Sequence, residues 1–502
     1  VSESRRFQVA VCGGGPVGML IAAETARRGV STVVVERNER TLDVPKAGTL
    51  HARTAQSLHR RGYFPSPEIG AADLKEELTA PFHFAGMPGL AISGPAVEGP
   101  PIVGCPQGAL ERQFESEARR AGTRILRGAT ATAIDVRDSG VTVFIEGTAS
   151  PSVEADYLVG ADGARSLVRA SCGFESDAHA PRSNALLGMV RLTDPFAAPA
   201  GWTRTERGWT VIGTNPFGHS RVAAIDFSGP GPDRNRQPTL EELRSEVSRI
   251  AGFDIPMTDP QHLDRFSDYS RLARTYRRGR VLLAGDAAHV HFPVGGQGLN
   301  LGVQDALNLG WKLALACDGS GDDTLLDSYD AERRPPAQRV VDNTRAQLAL
   351  MNPDPAWDPL RDLFMSLMEL DPVNRRLGDM ISDQEVCYPA PPGASRWTGR
   401  FLPNLPLQEA NTGRRTSVSE LLTDGRPLLL LFDDRTGAEK ETAAWHADLS
   451  VVRAEGPQPL PWTAVLVRPD GYLAWADDVP ESRQAIESLI QTLTAWFGGT
   501  PR

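Results

Sequence analysis

The chain has 502 residues, 40% hydrophobic and 23% charged, with 53 basic against 63 acidic residues and a net charge of −10. That length predicts about three soluble globular domains, and the acidic balance argues against a nucleic-acid partner. No apolar run approaches the roughly 20 residues of a membrane span, the polar start Val1 to Arg6 has no signal-peptide pattern, and Cys12, Cys105, Cys172, Cys317 and Cys387 form no CxxC pair, which fits reduced thiols in a cytoplasmic protein.

In chain order, an apolar run from Val9 to Cys12 precedes Gly13-Gly14-Gly15-Pro16-Val17-Gly18. A helix is expected to about Arg28, with Val17, Leu20 and Ile21 on one face and Gly29 as its stop. A second apolar run, Val33 to Val35, ends at Glu36, which completes a βαβ unit with a glycine-rich first turn. Leu110 to Gly122 reads as an amphipathic helix, Gly140 to Glu146 as a strand, and Tyr157 to Val159 as a short strand before Gly160-Ala161-Asp162-Gly163. From Cys172 to Tyr269 short alternating segments, such as Trp209 to Ile212 and Val222 to Ile225, predict an inserted antiparallel sheet. The first pattern resumes with a strand from Val281 to Ala284, then Gly285-Asp286 and a long helix from about Leu299 to Cys317. After Arg333-Arg334-Pro335-Pro336 more helix is expected, to about Ile381. Pro389, Pro391 and Pro392 mark a linker, beyond which strands are expected at Pro427 to Phe432 and Ala464 to Arg468, with a turn at Pro469-Asp470-Gly471.

Gly13, Gly15 and Gly18 fit G-x-G-x-x-G after a strand and before a helix. Gly13 permits the tight turn, Gly15 lets backbone approach a pyrophosphate, and Gly18 allows close helix–strand packing. The helix start offers amide donors and partial positive charge to phosphates. Glu36, 23 positions after Gly13, suits a ribose hydroxyl pair. With Pro16, Val17 and Arg37 beside them, these residues define an expected dinucleotide contact set, either FAD or NAD(P).

Two further segments favour flavin by resemblance. Arg280-Val281-Leu282-Leu283-Ala284-Gly285-Asp286-Ala287-Ala288-His289 resembles the second FAD fingerprint of aromatic hydroxylases, and Gly160-Ala161-Asp162-Gly163-Ala164-Arg165-Ser166 resembles their "DG" motif. From about Gln8 to Gln347 the chain is similar to class A flavoprotein monooxygenases of the p-hydroxybenzoate hydroxylase fold. The subgroup with a C-terminal thioredoxin-like domain, which includes polyketide-tailoring hydroxylases, Baeyer–Villiger enzymes and rifampicin monooxygenases, matches best. The redox cysteine pair of that domain is absent, so a structural or dimer-forming role is expected of it. The implied fold class is α/β: a Rossmann-like FAD domain over 1–171 and 270–398 with a helical extension, an inserted sheet domain over 172–269, and a thioredoxin-like domain over 399–502.

The resemblance also assigns site residues. Asp286 would accept from ribityl hydroxyls beside Gly285, and Gly296, Gly298, Leu299 and Asn300 would bring a helix start to the flavin pyrimidine ring, where its amides stabilise negative charge. Pro293 would shape the wall behind the ring. Lys46 takes the place where relatives hold the FAD phosphates with arginine; it neutralises phosphate but cannot fork to two oxygens. Arg53 matches a flavin-facing arginine and is, with Pro293, the expected catalytic residue; a surface salt bridge is its alternative. Gln107 matches a ribityl contact, with a plain helix-start residue as its alternative, and Asp162 is assigned to FAD and the nicotinamide nucleotide. His289 and His291 lack a third ligand, so no metal is expected.

The expected activity is an FAD-dependent monooxygenase that uses NAD(P)H as a transient co-substrate and O2. It would insert one oxygen atom into an aromatic, polycyclic polyketide-type substrate through a flavin C4a-hydroperoxide, in a monomer or homodimer. Baeyer–Villiger insertion or epoxidation on the same fold remain alternatives, as does a non-catalytic flavin-binding protein. A halogenase is disfavoured because no W-x-W-x-I-P segment occurs.

Overall fold

The computed structural model describes residues 6–44, 46–65, 76–231, 236–319, 321, 323–433, 437–445, 448–457, 459–478 and 483–497. Most of the polar start read at Val1 to Arg6, and the last residues of the chain, lie outside the described residues.

Strand β1 (Phe7–Cys12) leads into helix α1 (Pro16–Ala26) and strand β2 (Thr32–Glu36). β1 is parallel to β2 on one side and to Ser152–Gly160 on the other, and Val281–Leu283 and Arg124–Arg127 extend the parallel sheet outward. The strand expected at Tyr157 to Val159 is nine residues long, because Ser152 to Ala155 pair antiparallel with Gly140–Glu146 at the sheet edge, where apolar periodicity is weak. α1 is buried almost all round, between the sheet and a later helix, rather than amphipathic.

Helix α2 (Ala52–Arg60) follows a short strand, Thr49–His51. A hairpin that sequence patterning did not reveal, Glu77–Phe84 with Met87–Pro95, comes next. Helix α3 (Gln107–Arg120) starts three residues before its expected apolar stripe, directly after Pro106. Helix α4 (Leu167–Ser171) is capped by the Ser166 hydroxyl, which accepts from the Arg169 amide at 2.9 Å.

The inserted region forms a five-stranded antiparallel sheet in the order Gly201–Thr205, Gly208–Gly213, Ser220–Asp226, Asn184–Leu192, Met257–Ser267. Helix α5 (Leu240–Ala251) packs Leu243, Val247 and Ile250 on one face, against Leu186, Val190, Ile212, Val222 and Ala224. Strand alternation turns Ala185, Trp209 and Ile225 the other way, into a cluster with Ala52, Phe292, Val294 and Leu350. That face therefore looks toward the start of the next helix.

Helix α6 (Gln297–Asp318) lies along α1 so closely that a Cβ on Gly310 would sit 2.4 Å from the Glu24 Cβ. Helix α7 (Asp323–Leu350) runs straight through Pro335 and Pro336, where the sequence predicts a new helix to begin. An interior proline costs a helix about 3 kcal/mol, and tertiary bonds in the two turns before it offset that cost: Tyr329 donates to the Leu283 carbonyl at 2.8 Å, and Arg333 pairs with Asp305 at 2.9 Å. The expected helix to Ile381 is divided into α7, α8 (Asp358–Met368) and α9 (Asp371–Ile381), the last two with proline in their first turns.

The C-terminal segment holds a six-stranded mixed sheet in which Leu428–Leu431 is parallel to Ser450–Glu455 and antiparallel to Ala464–Val467. Helix α10 (Val418–Leu421), helix α11 (Ala438–Glu441) and helix α12 (Arg483–Phe497) complete it. Trp311 of α6 shares a buried cluster with Leu429, Leu466 and Leu489, so this segment docks directly on the long helix. The whole is a mixed α/β fold with a Rossmann-like parallel core and separate antiparallel sheets. No described helix is long and apolar enough to cross a membrane.

Candidate active site

A cleft of about 270 Å³ opens where β1 ends, lined by Gly13, Gly15, Glu36, Arg37, Lys46, Gln107 and Asp162 among others. Its glycines do three different things. Gly13 takes φ +102°, and a Cβ there would lie 2.2 Å from the Ala161 carbonyl oxygen. A Cβ on Gly18 would lie 2.0 Å from the Gly13 oxygen. Gly15 has nothing within 4 Å of its Cβ position, so it fronts open space at the uncapped start of α1. Pro16 occupies the first helical position, where a missing amide costs nothing. Val17 is a spacer: its side chain fills the gap beside Gly285 and Gly302.

Glu36 is almost fully buried, and its carboxylate accepts from the Gly14 amide at 2.6 Å and the Asn38 amide at 2.8 Å. It thus ties the glycine turn to the end of β2 while lining the cleft. Arg37 and Lys46 stand exposed at the rim. Gln107 is half-buried at the first position of α3, whose start no side chain caps. One Asp162 oxygen accepts from the Val168 amide at 3.1 Å, and the other is buried with no partner among the described residues.

The second part of the site forms where the parallel sheet meets α6. Gly285 takes φ +59° and donates its amide to Asp305 at 3.1 Å, and the next side chain, Asp286, is exposed. Asp305 is fully buried and also receives the His289 Nε2 at 2.7 Å and the Arg333 Nε at 2.9 Å. Burial alone would raise its pKa, but His289 and Arg333 outweigh that and hold it below the usual carboxylate range. Sequence patterning missed Asp305 because a carboxylate inside an apolar helix carries no local signal of its partners.

Beyond it, Pro293 is exposed, and Gly295 and Gly296 both adopt the left-handed region, at φ +75° and +65°. No side chain caps the first turn of α6, and Gly298 and Leu299 are half-exposed. A Cβ on Gly298 would approach the His291 Nε2 to 3.3 Å. The amide-bearing stretch is therefore not walled off, and Phe292 just before it meets Phe266 of the inserted sheet at 5.6 Å between ring centres. Asn300 is placed differently from its expected role: its side chain bonds wholly to protein, accepting from the His51 amide and donating to the Thr49 and Gly296 carbonyls. Only its backbone is left to meet a ring.

Arg53 lies inside, 7% exposed, and no surface salt bridge holds it. Its guanidinium donates to the Gln56 side chain at 2.7 Å and the Gln384 carbonyl at 3.1 Å, and lies 3.7 Å from the centre of the Phe401 ring. His289 and His291 point to different partners, the second to the Phe292 carbonyl, and burial pulls the His291 ring down to about 4. Among the described residues no group of three or more His, Cys, Asp or Glu could hold a metal.

Comparison with known proteins agrees with this geometry. Residues 6–344 match the FAD binding domain family, and residues 395–500 match the aromatic-ring hydroxylase C-terminal family. The 12-dehydrotetracycline 5-monooxygenase/anhydrotetracycline 6-monooxygenase of Streptomyces rimosus is 37% identical over 508 residues, covering 98% of this chain and 99% of its own. The dialkyldecalin synthase of Streptomyces rugosporus is 35% identical over 494 residues, 98% of each chain. The crystal structure of CabE, an aromatic hydroxylase from angucycline biosynthesis, is similar with a TM-score of 0.88 at 32% identity, covering 98% of this chain and 99% of that one. The chain belongs to the FAD-binding family of aromatic-ring hydroxylases and is an FAD-dependent monooxygenase that uses NAD(P)H and O2.

The residues present fit FAD. The empty space before Gly15, the unpartnered Asp162 oxygen and the uncapped start of α6 are donors, acceptors and room that the protein itself leaves unused.

Proposed function

We propose that this monooxygenase hydroxylates a planar, polycyclic phenol or enol of polyketide type. The observation that carries this is the register of the inserted sheet on its α6-facing side. One row runs Trp202, Val211, Ala223, Leu187, Asp264, and the next runs Arg204, Trp209, Ile225, Ala185, Phe266. Ala223 and Ile225 stand at the middle of the two rows, with Trp202, Trp209 and Phe266 toward the sides and Asp264 and Arg204 at two of the ends; the apolar stretch between them, edged by rings, suits a fused ring system. Phe82 and Leu350 extend the same cluster from the hairpin and from α7.

Bound FAD supplies reduction by NAD(P)H and activation of O2. Gly13, Gly15 and Asp162 with Lys46 and Arg37 would hold its nucleotide end. Gly285, Asp286 and the amides of Gln297 to Leu299 would hold its ring end, and Gln107 its middle. The protein's own work is to orient the substrate against the α6 start, exclude water there and stabilise charge with helix amides and Arg53. In this reading the chain divides into an FAD domain (1–171, 270–398), an inserted sheet domain (172–269) and a thioredoxin-like domain (399–502).

The test is a panel of tricyclic and tetracyclic phenols with NADPH, scored by product mass. A product one oxygen atom heavier, formed only with NADPH, is expected; its position separates hydroxylation from ring insertion or epoxidation. An isomer of unchanged mass, formed without NADPH, would instead place the chain with its dialkyldecalin synthase relative.

A further inference from the structure

Two arginines of α2, Arg53 and Arg60, lie seven residues apart, two turns of helix, and share one face. Both guanidinium groups stack on the ring of Phe401, at 3.7 Å and 4.2 Å from its centre. The two differ in charge balance. Arg60 is neutralised by Glu98 through bonds of 2.9 and 2.7 Å, and also donates to the Leu402 carbonyl. Arg53 pairs with no carboxylate among the described residues: its bonds go to neutral acceptors on Gln56 and Gln384, and its Nε is buried without a partner. Glu98 and Asp383 act on it only at longer range, and a buried cation with no carboxylate in contact is costly. The Phe401 face lessens that cost without cancelling the charge, since an aromatic face attracts a cation but carries none itself.

Phe401 is itself held from the C-terminal side. Its ring meets Tyr472 edge-on at 5.1 Å, Tyr472 stacks on Tyr388 at 4.0 Å, and the Leu402 amide donates to the Gly471 carbonyl at 3.0 Å. A Cβ on Gly471 would lie 2.8 Å from the Phe401 ring, so that glycine makes room for it. Nearby, Arg468 of the same segment bonds twice to Glu332 of α7 at 2.7 Å, and Glu332 in turn takes Lys312 and Asn308 of α6. The C-terminal segment thus contacts α2 through Phe401 and reaches α6 through Arg468 and Glu332.

We propose that Phe401 is a positioning residue: it fixes the Arg53 guanidinium at the flavin site, which makes the C-terminal domain a working part of the monooxygenase rather than an appended or dimer-forming module. The proposal rests on the reading of Arg53 as a flavin-site residue. It needs no chemistry at Phe401, only a ring face under a charge that must stay in one place.

The test uses the full-length holoenzyme with Phe401→Leu, Phe401→Tyr and Arg53→Met. Read-outs are the anaerobic rate at which NADPH bleaches the flavin, the visible flavin spectrum, and the thermal midpoint. Phe401→Leu is expected to keep FAD and the wild-type midpoint within a few degrees but to slow flavin reduction about tenfold and shift the spectrum, as Arg53→Met does. Phe401→Tyr, which keeps the aromatic face, restores both, and the Phe401→Leu/Arg53→Met double variant is no slower than either single variant. If leucine does not fold, Phe401→Met is read in its place. Wild-type reduction in Phe401→Leu beside a defective Arg53→Met overturns the proposal. Wild-type behaviour of Arg53→Met removes the reading beneath it, and the proposal with it.

Discussion

The side-chain oxygen of Asn300 accepts the backbone N–H of His51 at 2.8 Å, joining the first turn of α6 to the entry of α2. The Asn300 amide nitrogen completes the joint by donating to the Thr49 carbonyl at 3.1 Å and the Gly296 carbonyl at 2.9 Å. Asn300→Ala removes all three bonds and leaves buried backbone groups unpaired, a loss of about 2–3 kcal/mol. Urea unfolding should show that loss, and FAD titration should show weaker binding because the α6 start is no longer fixed against α2. Unchanged FAD affinity in a destabilised variant would mean the joint is structural only.

The glycines of the first turn make opposite predictions for one small substitution. Gly18→Ala places a methyl 2.0 Å from the Gly13 oxygen, so it should destabilise the apoprotein itself. Gly15→Ala meets nothing within 4 Å, so the apoprotein should melt as the wild type does. Its methyl would occupy the room left for pyrophosphate, and FAD affinity should fall at least about tenfold. Normal FAD binding by Gly15→Ala would show that the open space serves something else.

His51 gives the site a pH dependence with a definite sign. Its Nε2 meets the Gly295 carbonyl at 2.9 Å, and burial pulls the ring down from 6.5 to about 4. The folded protein therefore refuses a proton that the unfolded chain accepts between those values. Stability should be whole above pH 6.5 and fall as pH drops toward about 4, by up to about 3 kcal/mol from this group. His51→Gln can keep the donor to Gly295 but cannot titrate, so its urea midpoint should fall less than the wild type's between pH 7 and pH 4.5. Parallel decline in both proteins would assign the effect to other groups, such as His83 and His291, which are lowered in the same way.

What the sequence revealed follows from where its signals are local. The strand–glycine turn–helix at Phe7 to Ala26, the strand Gly140–Glu146 and the alternation at Trp209 to Ile212 are short-range patterns, and they appear in the structure near their expected bounds. Gly13, Gly15 and Asp162 meet in one cleft although Asp162 is far away in the chain, because motif resemblance carried the long-range information. The failures are non-local. The unbroken α7 depends on Asp305 and Leu283, which no window around Pro335 contains. The hairpin at Glu77–Pro95 mixes glycine and proline into its strands, which hides its period. Asn300 belongs to a helix start by spacing, but its partners at residues 49 and 51 decide what its side chain does.

Arg221 tests the substrate reading from one end of the same wall. The register sets Gly213, Arg221, Met189 and His262 in one row across the inserted sheet. Val222 and Ala224 on either side of Ala223 face α5, so Arg221 belongs to the face opposite, with Ala223 and Ile225. Arg221 is exposed, and no hydrogen bond or ion pair engages its guanidinium among the described residues. An arginine so placed suits a phenolate or enolate oxygen at the edge of a flat ring system. Arg221→Ala should raise the KM for an ionisable phenol roughly ten- to a hundredfold, the worth of a charge-assisted bond of about 1.5–3 kcal/mol, with FAD content unchanged. The methyl ether of the same phenol, which has no anion to lose, should bind wild type and variant alike. Equal KM for the phenol in both proteins would move substrate recognition away from this end of the sheet and onto the rings of Trp202 and Phe266 in the two neighbouring rows.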